Sequence, residues 1–211
     1  MLATLWMSLK QQSIELAIMA MVIAYAAPFT LPVRSATAVE LVAYYLVINV
    51  AVAILSTLRP WKILNQIAFL ITIIVSSAYV YQHGYLQDRH LLSVLVVLHT
   101  LIFVWLSFRF SQLIAKRDVE EFKLKPALDI ALIFGAPIVG YIFIYLMYFN
   151  ENVNQAAFSL AFALLYAVIY QFSKNNQSIQ LISQSYFSLI LIFIALIPPI
   201  LLPEQWSVIG W

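Results

Sequence analysis

The stretch Leu41–Leu58, LVAYYLVINVAVAILSTL, contains no charged side chain and is followed by the basic, aromatic segment Arg59-Pro60-Trp61-Lys62. A helix of about 20 apolar residues can cross a hydrocarbon core of about 30 Å. Basic and aromatic residues collect where such a helix leaves the membrane. The sequence therefore predicts a transmembrane helix that runs from about residue 36 to Leu58.

Similar apolar segments lie on both sides of this stretch. The predicted spans cover residues 14–33, 36–58, 63–81, 91–108, 127–149, 156–172 and 181–202. Their apolar residues do not alternate with polar ones, as they would in the strands of a membrane barrel. We therefore predict an all-α fold, a polytopic bundle of about seven transmembrane helices, with residues 1–211 forming a single transmembrane domain.

The composition of the chain points to lipid as its main solvent. Only 9% of the residues are charged and 64% are hydrophobic, whereas soluble domains carry about 25% charged residues. The net charge of +2 is too small to indicate a nucleic-acid partner. The chain has no cysteine, which excludes disulfides and thiolate metal sites.

The distribution of basic residues predicts the orientation, because cytoplasmic loops are enriched in lysine and arginine. With the N-terminus in the cytoplasm, the cytoplasmic side receives Lys10, Arg59, Lys62, Arg109, Lys116, Arg117, Lys123, Lys125 and Lys174, and the opposite side receives Arg34 and Arg89. This asymmetry predicts a cytoplasmic N-terminus. It also makes residues 109–126 the main cytoplasmic loop.

Among the ionisable residues inside predicted spans, Glu40 and His99 are the candidate site residues, because such groups are functional hypotheses by default. Glu40 lies near the end of the second span, so a carboxylate that reaches headgroups or water is favoured over a transport site. His99 lies near the middle of the fourth span, beside Thr100. For His99, a structural hydrogen bond to another helix is favoured over a proton relay or a ligand contact.

Four uncharged positions complete the set of candidate site residues. Asn49 and Asn65 carry amides that can bond between helices, each contributing about 1 kcal/mol or less. Gly135 and Pro137 lie in the fifth span, where proline frees a backbone carbonyl and glycine lets another backbone come close. Helix packing is the favoured role of all four, although the broken helices of transporters carry similar residues.

The sequence contains no pattern of a catalytic site. A glycine-rich phosphate loop, Gly-x-Ser-x-Gly and His-Glu-x-x-His are all absent. His83, Asp88 and His90 surround one loop, but their spacing matches no established metal-ligand motif. We therefore expect no catalytic residue, no cofactor and no metal, and we do not expect an enzyme.

Several short motifs follow one another in a distinctive order. They are Ala27-Pro28, Tyr44 to Asn49, Arg59 to Asn65 leading into Phe69, Phe134-Gly135-Ala136-Pro137, Leu164-Leu165-Tyr166, Ser183 to Phe187 and Pro199 to Trp206. In this order and spacing, they resemble a known family of bacterial predicted membrane proteins, domain of unknown function 2339. The chain departs from the family at Ala68, often glycine there, and at Ala136, often threonine. The likeness runs from about Ala26 to Trp206.

The resemblance implies a location in the bacterial plasma membrane. Members of the family are typically longer, so the chain is expected to correspond to an internal piece of such a protein. The family brings no established reaction, substrate or catalytic residue.

Three functions remain open on the sequence. The first is a structural or assembly component of a larger polytopic protein, with the lipid bilayer and other transmembrane helices as partners. The second is a transporter or channel for a small solute or ion, with the six candidate residues lining a cavity. A membrane-embedded enzyme is the third, and it would need ionisable groups clustered at one depth. The structural hypothesis and the transport hypothesis differ in one expectation. In a transporter the candidate residues converge on one pocket, whereas in a structural component they face separate neighbours.

Overall fold

A computed structural model describes Lys10 and residues 13–30, 37–58, 61–116, 127–175 and 180–202, and no strand occurs among them. The helices are α1 (Ile14–Thr30), α2 (Ala38–Leu58), α3 (Lys62–His83), α4 (Arg89–Lys116), α5 (Ala127–Met147), α6 (Asn152–Ser173), α7 (Gln180–Ala195) and the short α8 (Ile197–Leu201).

Five described helices are long and apolar enough to cross a membrane: Ala38–Leu58, Ile63–His83, Arg89–Arg109, Asn152–Ser173 and Ile182–Leu201. Two further apolar stretches, Ile14–Thr30 and Leu132–Met147, are shorter. Since α7 and α8 together form one of the five spans, the described residues contain seven apolar helical stretches. The predicted all-α fold is confirmed.

Polar residues define where several helices begin and end. The Thr37 N–H donates to the Glu40 carboxylate (2.8 Å), and the Glu40 N–H donates to Thr37 Oγ1 (3.2 Å). This reciprocal pair is a capping box, which satisfies backbone donors at the start of α2. Ser13 Oγ accepts the Leu16 N–H at the start of α1 (3.3 Å). Helix α3 ends at Gly84, whose φ of 79° favours glycine.

The predicted loop 109–126 begins too early. Helix α4 continues to Lys116, and the described part of the chain ends there before resuming at Ala127. Arg109 marks the end of the apolar segment, but a charged residue does not end a helix. The residues that follow it contain neither glycine nor proline and include several good helix formers. The apolar pattern therefore located the end of the hydrophobic stretch and not the end of the helix.

The last predicted span, residues 181–202, is interrupted at Leu196, between α7 and α8. Pro198 and Pro199 have no backbone N–H, so they cannot bond to the carbonyls of Ile194 and Ala195. A kink or stop near these prolines was expected from the sequence, and the interruption agrees with it.

Helix contacts divide the chain into two compact units, Met1–Leu106 and Ser107–Trp211. In the first, α1, α2 and α3 pack against one another around buried residues such as Met21 and Tyr45. In the second, α5, α6 and α7 pack against one another, and α8 contacts α6 and α7. The sequence analysis treated residues 1–211 as one domain. The division falls inside α4, so no linker or change of composition marks it.

Candidate functional site

Three buried side chains from three helices of the first unit form a closed ring of hydrogen bonds. The Tyr25 hydroxyl on α1 donates to Asn49 Oδ1 on α2 (2.5 Å), and Asn49 Nδ2 donates to Thr72 Oγ1 on α3 (2.9 Å). The Thr72 and Tyr25 hydroxyl oxygens lie 3.3 Å apart. Because the Tyr25 proton is directed to Asn49, Thr72 is the donor in this third bond. We call these three residues the polar ring.

The polar ring is shielded from solvent. Tyr25, Asn49 and Thr72 are only 3%, 1% and 6% exposed. A buried polar group without a partner is costly, whereas linked hydrogen bonds in a medium of low dielectric strengthen one another. In the ring, both hydroxyls donate and accept, and the amide does the same. The ring therefore fixes three helices relative to one another and contains no carboxylate, imidazole or amine.

A second polar contact joins α2 and α3. Ser56 Oγ donates to Asn65 Oδ1 (2.5 Å), and both residues are buried. Asn49 and Ser56 lie about two turns apart on α2, as do Thr72 and Asn65 on α3, so the two contacts match one antiparallel register. In that register, the buried alanines 53 and 68 lie opposite each other between the two contacts, and small side chains there let the backbones approach.

Tyrosine hydroxyls on α2 satisfy backbone carbonyls of α1 beside its proline. Pro28 lies inside α1 and lacks the N–H that would bond to the carbonyl of Ala24. The Tyr44 hydroxyl donates to that carbonyl (2.9 Å), and the Tyr45 hydroxyl donates to the neighbouring carbonyl of Tyr25 (3.0 Å). Helix α2 thus compensates for the proline of α1, as neighbouring helices do in membranes.

Two buried nitrogen atoms of the first unit have no hydrogen-bond partner among the residues that the structure describes. They are Asn65 Nδ2 and His99 Nε2. His99 Nδ1 donates to the Leu95 carbonyl of its own helix (2.9 Å), which leaves Nε2 as an acceptor. The structural hydrogen bond of His99 is therefore made within α4, whereas the sequence analysis favoured a bond to another helix.

The remaining candidate residues are not members of the polar ring. Glu40 is exposed at the start of α2, where it forms the capping box with Thr37. Gly135 and Pro137 belong to α5 of the second unit, where Gly135 is half-buried and Pro137 is buried. Helix α5 continues through Pro137 to Met147. The segment is thus an uninterrupted helix, unlike the broken helices of transporters.

Within the first unit, the candidate residues make separate hydrogen bonds. Asn49 bonds to α1 and α3, Asn65 bonds to Ser56, and His99 bonds to its own helix. No group of three His, Cys, Asp or Glu side chains within the described residues is placed to hold a metal ion. Chemically, the arrangement suits the joining of helices.

The second unit has its own polar contacts between helices. Ser159 Oγ on α6 donates to the Tyr141 hydroxyl on α5 (3.0 Å). Ser173 Oγ on α6 lies 3.3 Å from Ser183 Oγ on α7. Gln155 donates to the carbonyl of Tyr145 (3.0 Å), which joins α6 to the end of α5. Each of these contacts joins one pair of helices.

Sequence analysis missed three residues of the polar contacts in the first unit: Tyr25, Ser56 and Thr72. Single hydroxyl residues are common in apolar helices and raise no expectation alone. Spacing could have found Ser56 and Thr72, since Asn49 and Ser56 on one helix match Thr72 and Asn65 on the next in an antiparallel hairpin. No comparable pattern indicates Tyr25.

Comparison with known proteins adds one match. A family model described as "Predicted membrane protein (DUF2339)" matches residues 1–211. The match extends beyond the region from Ala26 to Trp206 on which the resemblance was based. No curated protein and no solved structure matches the chain.

Proposed function

The chain belongs to the DUF2339 family of predicted membrane proteins, and from this premise we propose that it is a structural or assembly component of a larger polytopic protein in the bacterial plasma membrane. Its helices pack against one another and against other transmembrane helices. The proposal includes no enzymatic activity, no cofactor and no nucleic-acid partner.

The observation that carries the proposal is the polar ring. A transport site needs polar groups that are free to bind a solute, whereas Tyr25, Asn49 and Thr72 bond to one another. Helices in lipid gain little from the hydrophobic effect, so they associate through close packing and hydrogen bonds. The polar ring and the alanines beside it provide both.

The test is Asn49→Leu, which keeps the side chain's size and removes both amide bonds. We expect the free energy of unfolding in detergent micelles to fall by about 1–2 kcal/mol, because the Tyr25 and Thr72 hydroxyls lose a partner. The measurement is unfolding by titrated sodium dodecyl sulfate. In liposomes, the flux of protons, Na⁺, K⁺ and chloride should equal that of empty liposomes for both wild type and variant.

A flux above that of empty liposomes, lost in Asn49→Leu while the variant stays folded, would contradict the structural role. The matched control is Asn154→Leu, because Asn154 is exposed and bonds to the nearby Glu151. This control should leave both stability and flux unchanged.

A transporter or channel is the second candidate. It is favoured by Asn65 Nδ2 and His99 Nε2, which have no hydrogen-bond partner in the part of the chain that the structure describes. Its test uses His99→Ala and Glu40→Gln in the same liposome assay. If the wild type conducts one of the four ions and either variant abolishes that flux, the substituted residue belongs to a transport site. Unchanged flux in both variants removes these residues from any mechanism.

The proposed orientation has the N-terminus and residues 109–126 on the cytoplasmic side. Since the chain has no cysteine, single substitutions give clean labelling sites. Glu151→Cys should react with a membrane-impermeant maleimide on intact spheroplasts, and Lys123→Cys should react only after lysis. Reaction of both sites from the same side would contradict the orientation.

A further inference from the structure

Two buried polar atoms of the first unit lie on consecutive helices and make no hydrogen bond within the described part of the chain. They are the Ser76 hydroxyl oxygen on α3 and His99 Nε2 on α4. His99 is only 7% exposed. Its Nε2 is an acceptor, because Nδ1 donates to the Leu95 carbonyl (2.9 Å). A buried polar atom without a partner costs free energy, so each of these two atoms needs a hydrogen-bonding group.

The Ser76 hydroxyl differs from others on the same two helices. Serine and threonine hydroxyls in a helix commonly bond to a carbonyl of the preceding turn. Ser77 Oγ bonds in this way to the carbonyl of Ile74 (3.1 Å), and Thr100 Oγ1 bonds to the carbonyl of Val96 (2.8 Å). The Ser76 hydroxyl makes no such bond to any residue that the structure describes. It is therefore available to another polar group.

A ring contact shows which faces of α3 and α4 meet. The ring centroids of Phe69 and Phe103 lie 5.0 Å apart. Ser76 follows Phe69 by seven residues and therefore shares its face of α3, and His99 precedes Phe103 by four and shares its face of α4. The short connection 84–88 makes the two helices antiparallel, so both residues lie on its side of the ring contact. The helical rise places Ser76 about 10 Å and His99 about 6 Å from that contact.

The spacing of Ser76 and His99 suits one bridging molecule. Helical side chains lean toward the N-terminus of their helix, so in an antiparallel pair these two lean toward each other. A water molecule with a bond of about 2.8 Å to each of two atoms spans about 5 Å. It can accept a hydrogen bond from the Ser76 hydroxyl and donate one to His99 Nε2.

The depth of His99 separates it from the water outside the membrane. In the candidate span Arg89–Arg109, His99 lies ten residues, or about 15 Å, from each end. Internal water molecules bridge buried polar groups that otherwise have no partner, and ordered water does so between membrane helices. A charged imidazole at this depth would be costly, so the neutral ring needs a donor at Nε2.

We propose that Ser76 and His99 bind one internal water molecule between α3 and α4. The inference rests on the proposed structural function, because the water gives these helices a hydrogen-bonded contact beside the packing of Phe69 and Phe103. None of the three residues of the polar ring takes part. The inference can therefore fail while the Asn49→Leu result stands.

The first test measures whether Ser76 and His99 act together. Ser76→Ala, His99→Phe and the double variant are unfolded in detergent micelles by titrated sodium dodecyl sulfate. Ser76→Ala should raise the unfolding equilibrium constant about threefold in the wild type and should lose this effect in the His99→Phe background. The matched control is Ser77→Ala, whose hydroxyl bonds within its own helix, and its effect should not depend on His99. Equal effects of Ser76→Ala in both backgrounds would overturn the proposal.

The second test detects the water itself in the full chain in lipid bilayers, so it does not require His99→Phe to fold. The other two histidines, His83 and His90, are exposed, and replacing both with glutamine lets histidine labelled in its ring nitrogens report on His99 alone. Solid-state NMR should show magnetisation transfer from water protons to Nε2. Ser76→Ala should lose most of this transfer, and Ser77→Ala should retain it. Absence of transfer from water, or a hydrogen bond to Nε2 from a proton of the protein, would overturn the water site.

Discussion

The two units differ in the contact that joins three helices at once. In Met1–Leu106, the side chains of Tyr25, Asn49 and Thr72 join three helices through hydrogen bonds. In Ser107–Trp211, aromatic rings occupy the same role, with Phe193 on α7 lying 5.4 Å from Tyr141 on α5 and 5.2 Å from Phe162 on α6, between ring centroids.

The comparison shows two solutions to one physical problem. Lipid is as apolar as the helix surfaces, so burying apolar side chains between helices gains little from the hydrophobic effect. Directional bonds fix the register of helices but use few atoms, whereas rings fill space and make many dispersion contacts. The first unit should therefore respond to the loss of single polar atoms, and the second to the loss of volume.

The largest expected effect is that of Phe193→Ala in the second unit. The Phe193 ring contacts those of Tyr141, Phe162 and Tyr166 and is 1% exposed. We expect the free energy of unfolding to fall by about 2–3 kcal/mol, mainly from the cavity and lost contacts. Unfolding in mixed micelles measures it. Phe172→Ala, at a position 76% exposed, is the control, and an equal loss there would refute the ring-packing account.

A smaller loss is expected for Thr72→Val, which keeps the shape of the side chain but removes its hydroxyl from the polar ring. Asn49 Nδ2 would lose its acceptor, at a cost of about 1 kcal/mol. The control is Thr57→Val, because the Thr57 hydroxyl donates to the carbonyl of Ile54 in its own helix (2.6 Å). If both variants unfold at the same detergent concentration, the ring does not stabilise the first unit.

The smallest effect is expected for Asn65→Leu, which should change stability by less than about 0.5 kcal/mol. The substitution removes one bond to Ser56, but it also removes the buried Nδ2 atom that has no partner within the described chain. These contributions oppose each other. The same unfolding titration applied to Asn49→Leu provides the comparison. A loss for Asn65→Leu as large as for Asn49→Leu would show that the two amides are equivalent.

Much of the helical architecture followed from local properties of the sequence. Long uncharged segments such as Leu41–Leu58 must satisfy their backbone polar groups internally when they lie in lipid, and a helix does this. The exposure of Glu40 at the start of α2 agrees with its position near the start of the predicted span. The end of α4 at Lys116 was not, because hydrophobicity and helix propensity change at different residues.

The sequence predicted the two buried amides of the polar contacts but not the side chains that bond to them. Asn49 and Asn65 attract notice in any apolar helix, since amides there need partners. Their partners Tyr25, Thr72 and Ser56 come from other helices or another part of the same hairpin, and nothing local identifies them. The same holds for Tyr44, whose hydroxyl replaces the donor that Pro28 lacks.

The sequence by itself determined that this chain forms apolar helices suited to a membrane, because the solvent preference of a segment and its helical hydrogen bonds are local properties. Only the tertiary structure decided which polar atoms satisfy one another and which have no partner among the described residues. Those outcomes depend on the rotation and register of each helix against its neighbours, which are set by packing between segments distant in the chain.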